Sequence, residues 1–420
     1  MNSATPVVFA VLLVTSLLAM PVIAAGPEAD DATRDAPDPQ FQQLTLQQAS
    51  SSPVEAEDTT NRLQLSGEIR EERATYGTDF GLTLAAVDDH LRVDHEQYTI
   101  VDSEFDTATD EERENMIRTA NNRIADRTEN LEQRERDAVR DHADGEITDT
   151  ELIQTLLRNY NEAESLLNAL NEIDDRTDAV PGYSLSNQQV RADEAALDLH
   201  RTSLRANLDQ ASQSSGWDER PDVRIQTSED GYSLSMIEGD MYILETVRFD
   251  NRDTGPDVEN QFEDYSNSET MEAATEHYPW AGGEQSWSSF NDYGEQNLYF
   301  VEMEDDRNHL QVYLDGGTGD VYRESQELAL ESLPEDNNRS WINDDIDLTI
   351  TETPVNGPVE VRVADMVTDD PENATVWMNG VELGETDDDG TLWLLPPLDD
   401  YEVSIESDSG SVDTRTANRR

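Results

Sequence analysis

The sequence predicts a multidomain chain: an antiparallel helical bundle of coiled-coil type, then a small α+β domain, then a C-terminal domain of short strands. Three observations predict it. Apolar residues recur at steps of three and four from about residue 80 to 212, the period of a helix face. After Pro221 the period changes to two, the alternation of half-buried strands. From about Asp344, short apolar runs alternate with turn residues, as in an all-β domain. A chain of 420 residues is long enough to hold such a series.

Composition sets the environment. All 28 basic residues are arginine, against 94 Asp and Glu, for a formal net charge of -66. In dilute buffer such a charge repels itself and expands the chain. At about 1 M salt the Debye length falls to roughly 3 Å and the repulsion is screened. The balance therefore points to an extreme halophile whose protein folds in concentrated salt. It also argues against a nucleic-acid partner, because that binding rests on Lys and Arg neutralising phosphates. The absence of cysteine excludes disulfides, thiolate metal sites and a Cys nucleophile.

The elements follow in order. Residues 1–25 read as a signal peptide: Val7 to Ala25 is almost wholly apolar, carries Pro21, and ends in small residues. The alternative is an uncleaved membrane anchor, since the run could just span a bilayer. Either places the protein outside the cell or at its surface. Residues 26–60, rich in Asp, Glu, Pro, Gln and Ser, read as a disordered acidic tether.

Residues 61–215 read as the elongated antiparallel bundle, after a short strand at Asn61–Leu65. Phe80, Leu84, Val87 and Leu91 mark the inner face of its first helix. Ile117, Ile124, Leu131 and Ala138 mark a second, over about Thr109–His142, with Arg127 and Arg134 at seam positions. Thr148 and Glu151 form a capping box before Ile153, Leu156, Tyr160, Ala163, Leu167 and Leu170. Ser186 and Gln189 form another before Val190, Leu197, Leu204 and Ala211, with Arg201 in the seam. Short connections between such helices imply antiparallel neighbours.

Residues 220–332 read as the α+β domain. Val223–Ile225, Tyr232–Ile237 and Met241–Phe249 form a meander around Asp230-Gly231. A helix follows at Ser268–His277, then strands at Leu298–Met303, His309–Leu314 and Val321–Glu324. The hairpin from Gln311 to Val321, with its Thr318-Gly319-Asp320 turn, resembles the end of PepSY-type domains. The resemblance implies a helix-on-sheet module, found in inhibitory propeptides and as an interaction module.

Residues 340–415 carry short strands at Asp347–Thr351, Val359–Val363, Ala374–Met378, Thr391–Leu395 and Tyr401–Ile405. The run Gly384-Glu385-Thr386-Asp387-Asp388-Asp389-Gly390, with Pro396 before the last strand, resembles the carboxypeptidase-regulatory, prealbumin-like domain. The resemblance implies a seven-stranded β-sandwich that serves as an accessory or adhesive module. Taken whole, the chain resembles secreted multidomain proteins of haloarchaea.

No catalytic constellation emerges. The six His are scattered at 90, 95, 142, 200, 277 and 309 without zinc-site spacing, and G-x-S-x-G and Walker A motifs are absent. No cofactor is expected. Asp387, Asp388 and Asp389 are oxygen-rich, as calcium requires, but do not fit an EF-hand loop and read more simply as a turn. Asn338 and Asn373 begin glycosylation sequons. Tyr278 and Trp280, with Trp287 nearby, read either as a cap on the small domain's core or as an exposed anchor for a partner. The sequence thus predicts a non-enzymatic extracellular or cell-surface interaction protein whose partner is an unidentified surface protein. A membrane is a partner only if the leader is uncleaved. The alternatives are a secreted inhibitor or chaperone of a hydrolase, and a hydrolase with a site assembled across domains.

Overall fold

The computed structural model describes residues 47–49 and 63–416, apart from 215–219, 256–257, 279–286, 344, 355–356 and 399. The expected signal peptide, Trp280 and most of the expected tether lie outside the described residues. Within that tether, Gln47–Ala49 is strand β1.

The first strand expected, at Asn61–Leu65, is displaced. The strand is β2, Gly67–Thr75, of sequence GEIREERAT, and it is polar because it is held by charge. Arg224 donates to Glu71 at 2.9 Å and Arg73 pairs with Asp222 at 3.3 Å, both across to β3, Asp222–Ser228. This pairing crosses the boundary expected between bundle and α+β domain. β3, β4 (Gly231–Glu238) and β5 (Met241–Arg248) form the expected meander. Gly231 is obligatory there, since a Cβ would lie 2.1 Å from the Val247 carbonyl oxygen.

After helix α6, Asn267–His277, come β6 (Trp287–Tyr293), β7 (Leu298–Glu304), β8 (Asn308–Asp315) and β9 (Val321–Ala329). β9 pairs with β5, which closes one antiparallel sheet of order β1-β2-β3-β4-β5-β9-β8-β7-β6.

The helices cover one face of this sheet. They are α1 (Phe80–Gln97), α2 (Asp110–Ala143), α3 (Asp149–Thr177), α4 (Asn187–Asp198) and α5 (Ser203–Gln213). Thr109–Glu112 and Thr148–Glu151 capping boxes start α2 and α3. Ile117, Ile124, Leu131 and Ala138 are buried as their period requires. On α3 the buried face is wide, and Leu166 is buried where Leu167 is only partly so. A straight helix of 3.6 residues per turn drifts off a strict heptad, and α3 touches several neighbours. The run expected as one helix to Ala211 breaks at Leu199, and Thr202 caps a new helix by accepting from Arg205 N.

The packing is therefore not a free-standing bundle. Val139, Leu152, Leu156, Leu204 and Leu208 share one core with Val223, Ile225, Leu234 and Ile243 of the sheet. Burial of each such side chain contributes roughly 1.5–3 kcal/mol. On the opposite face, α6 covers Tyr299, Val301 and Val312.

The C-terminal strands form two four-stranded sheets with a shared core. One has β10 (Asn337–Asn343), β11 (Ile346–Glu352), β12 (Val359–Asp365) and β15 (Thr391–Leu394). The other has β14 (Val381–Glu385), β13 (Ala374–Met378), β16 (Tyr401–Ser407) and β17 (Gly410–Thr416). This is one strand more than the seven expected. Leu395 is buried with Tyr242, Leu244 and Leu328 of the large sheet, and Trp393 packs against them.

Candidate functional site

Helix α1 departs most from expectation. Asp79 caps it, accepting from Leu82 N at 2.9 Å, Tyr76 Oη at 3.1 Å and Gln154 Nε2 at 2.6 Å. Its inner face is Leu82, Asp89 and Val93, seven and four residues apart. Asp89 is clamped by Arg158 of α3 through Nε at 2.5 Å and Nη2 at 2.8 Å. Glu96 adds ion pairs of 3.2 and 3.3 Å to Arg127 and Arg123 of α2.

These contacts turn the expected core residues outward. Phe80, Leu84, Val87 and Leu91 are 77, 71, 53 and 58 % exposed, and Tyr98, one heptad beyond Leu91, is 59 % exposed. They supply five of the ten large apolar side chains most exposed among the described residues, so the clustering is not scatter. The sequence read the periodicity correctly and the direction wrongly. Two ion-pairing acids on the other side, Asp89 and Glu96, fix which face looks in. Grooves of about 790 Å³ and 360 Å³ flank α1, the first bordered by Arg134, Asp137 and Gln154, the second by His90, Asn161 and Asp209.

A second feature is buried between helices and sheet. Glu135 of α2 and Glu245 of β5 face Arg205 of α5 and Arg323 of β9. Arg205 Nη2 lies 2.9 Å from Glu135 and 2.8 Å from Glu245, and Arg323 Nη2 is 2.6 Å from Glu135. Tyr232 donates to Glu245 at 2.5 Å, Thr202 to Glu245 at 2.5 Å, and His200 Nδ1 meets Glu135 at 2.9 Å. Burial alone would raise the Glu135 carboxyl; Arg205 and Arg323 hold it well below its ordinary value instead. Burial lowers His200 and so favours its neutral form. Two carboxylates thus meet two guanidinium groups, and the cluster is electrically balanced inside a strongly acidic chain. Its charged groups are almost wholly buried, and they tie α2 and α5 to β5 and β9.

On the other face of the sheet, Glu324 is a buried acid with no ion pair among the described residues. Glu324 accepts from Leu63 N at 2.8 Å and from Tyr278 Oη. Burial pushes its carboxyl up to about 7. Sequence reasoning missed both arrangements. The available signal was a charge inside an apolar strand, as in Ile243-Leu244-Glu245-Thr246-Val247 and Val321-Tyr322-Arg323-Glu324.

The other expected sites fall as follows. Tyr278 is buried, its hydroxyl on Glu324, which overturns its reading as an exposed anchor. Trp287 begins β6, opposite Glu304. Asn338, on β10, and Asn373, just before β13, are exposed. Asp387, Asp388 and Asp389 are exposed, and the Asp387 carboxylate accepts from Asp389 N, Thr391 N and Thr391 Oγ1 at 3.0, 2.9 and 3.2 Å. Those bonds shape the turn completed by Gly390 at φ 73°. Among the described residues no three acidic or His side chains are grouped to hold a metal, and no helix is long and apolar enough to cross a membrane.

Residues 1–219, just over half of the chain and all of the region that carries α1, match a family described as a domain of unknown function, DUF7096. The chain belongs to this family. Residues 223–334 match a family of unknown function, DUF7094, and residues 337–414 match the archaeal fibronectin-III type-like domain. The protein is thus of an archaeal multidomain type. The C-terminal β-sandwich stands, under a different family from the prealbumin-like one expected, and the middle region matches DUF7094 where a PepSY-type module was expected. No curated protein matches the sequence. The DUF7096 and DUF7094 matches meet where β2 pairs with β3, so the two regions are distinct as sequence families and joined as one sheet.

Proposed function

We propose that this chain is a non-enzymatic interaction protein, displayed outside the cell or at the surface of an extreme halophile, and that α1 is its docking element. The outward apolar face of α1 carries the reading. Exposed apolar patches of this kind mark interaction sites on soluble proteins. In a chain of net charge -66, such a face is costly to keep unless something covers it. The buried ion cluster supports the same reading, because it locks the helical layer to a sheet and gives the docking helix a rigid base. The apolar leader read at residues 1–25 supports export.

The test is fractionation of a halophilic archaeal host expressing the tagged protein, in molar salt throughout. The protein is expected in the envelope or the medium, and Leu84→Ser with Leu91→Ser should reduce its retention on the envelope. A wild-type protein confined to the cytoplasm overturns the proposal. Circular dichroism offers a second check: helix content should fall as salt drops from about 1 M to about 0.1 M, where the Debye length grows to about 10 Å.

A further inference from the structure

We infer that the occupant of the α1 face is α1 of a second copy of this chain, paired antiparallel. The inference rests on the reading of α1 as a docking element and names its partner.

The shape of the face selects a single helix. Phe80, Leu84, Val87 and Leu91 follow steps of four, three and four, and Tyr98 continues the rhythm seven residues on. That is a narrow seam of coiled-coil type, two positions in seven. A broad surface or a bilayer would call for a stripe of three or more positions in seven. The face opposite the seam is occupied, since Leu82, Asp89 and Val93 are buried on the protein. The helix can therefore offer one seam to one further helix.

Charge selects a copy of itself. Two chains of -66 repel over most of their surfaces. Phe80 to Val87 contains no charged residue, in a chain where 29 % of residues are charged. Of the next acids, Asp88 pairs with Arg92 at 2.7 Å on α1 itself, and Asp89 is buried against Arg158 of α3. On the seam itself two copies can therefore approach with little like-charge repulsion, and the acids that border the flanking grooves, Asp137 and Asp209 among them, are screened in molar salt. On α1 itself a basic partner would find few free carboxylates to recognise.

Direction follows from the same residues. An antiparallel pair centred between Ala85 and Ala86 sets Phe80 level with Leu91, and Leu84 level with Val87. Asp88 and Asp94 then stand level with Thr83 and Gly77. A parallel pair would set Asp88 beside Asp88 and Asp94 beside Asp94. The antiparallel arrangement also brings opposite ends of the two helix dipoles together. The four paired side chains of each copy, with Tyr98 beyond the paired stretch, cover much less than the roughly 800 Å² per partner of a standard interface. The pair is therefore weak and concentration-dependent, and it forms in molar salt, where repulsion between the acidic surfaces is screened.

The experiment uses the full chain in molar salt. Sedimentation should show mass rising from monomer towards dimer with concentration. Leu84→Ser with Leu91→Ser, whose circular dichroism should match wild type because both positions are exposed, should stay monomeric. The chain has no cysteine, so single thiols report register. Mixed Leu84→Cys and Val87→Cys proteins should oxidise to a cross-linked dimer at several times the yield of either alone. A wild type that stays monomeric at every concentration overturns the inference. So does a dimer that persists in the double Ser variant, or one in which Leu84→Cys cross-links best with itself. A monomer that still binds the envelope through α1 would overturn the self-pairing alone. Loss of both would remove the docking reading as well.

Discussion

Helices α1 and α2 carry similar apolar rhythms and end in opposite situations. On α2, Ile117, Ile124 and Leu131 recur every seven residues and are sealed against α3 and its neighbours. On α1, Phe80, Leu84, Val87 and Leu91 recur just as regularly and face solvent. The difference lies in their polar residues. α2 turns Glu135 inward to a balanced cluster with Arg205 and Arg323, on the side where its apolar residues also pack. α1 turns Asp89 inward to Arg158, on the side away from its apolar seam. Apolar periodicity shows only that a helix has an apolar face; on α1 and α2 the ion pairs decide which face is turned to the rest of the chain.

The largest effect that would break this comparison is at the α2 base. Glu135→Ala leaves Arg323, Arg205 and His200 short of a buried acceptor and should cost about 3–5 kcal/mol in denaturant unfolding at molar salt. A loss below about 1 kcal/mol would mean that the cluster does not hold α2 to the sheet. Next come the apolar seams. Leu131→Ala should cost about 2–5 kcal/mol. On α3, Leu166→Ala should cost clearly more than Leu167→Ala, because Leu166 is buried and Leu167 is at the edge. Equal losses would place the α3 register elsewhere.

Acidity sharpens the contrast between the two faces of the sheet. Glu324 has a carboxyl raised from 4.5 to about 7 by burial. A folded value above the unfolded one gives stability that is fully present below about 4.5 and lost as pH rises through about 7. Wild type should therefore lose thermal stability over that window relative to Glu324→Gln. A difference between the two that is flat from pH 4.5 to 8 would contradict the assignment. Glu135 has the opposite sign: its lowered carboxyl contributes stability above about 4.5 that fades on acidification.

Much of the architecture was legible. The strands of the meander, the capping box at Thr148 and five strands of the sandwich follow from period and turn chemistry. β2 was not, because its residues alternate charge rather than apolarity and its stabilising partners, Asp222 and Arg224, lie some 150 positions away in sequence. The break at Leu199 was hidden by a heptad that happens to continue across it from Leu197 to Leu204. Docking of the sandwich through Leu395 and Trp393 was also invisible, since nothing local distinguishes an apolar strand end facing its own core from one facing a neighbour. The outward face of α1 could have been found by asking where Asp89 must point if Arg158 is to reach it.

The most direct test of the account is the thermal midpoint at molar salt as a function of protein concentration, for wild type beside Leu84→Ser with Leu91→Ser. Association that selects the folded state raises the midpoint with concentration. The two proteins should agree within about 0.5 kcal/mol when dilute, as exposed positions should, and the wild-type midpoint alone should climb on concentration. A double variant already much less stable when dilute would place the seam in the chain's own core. A wild-type midpoint that does not move would leave the face of α1 without the partner assigned to it.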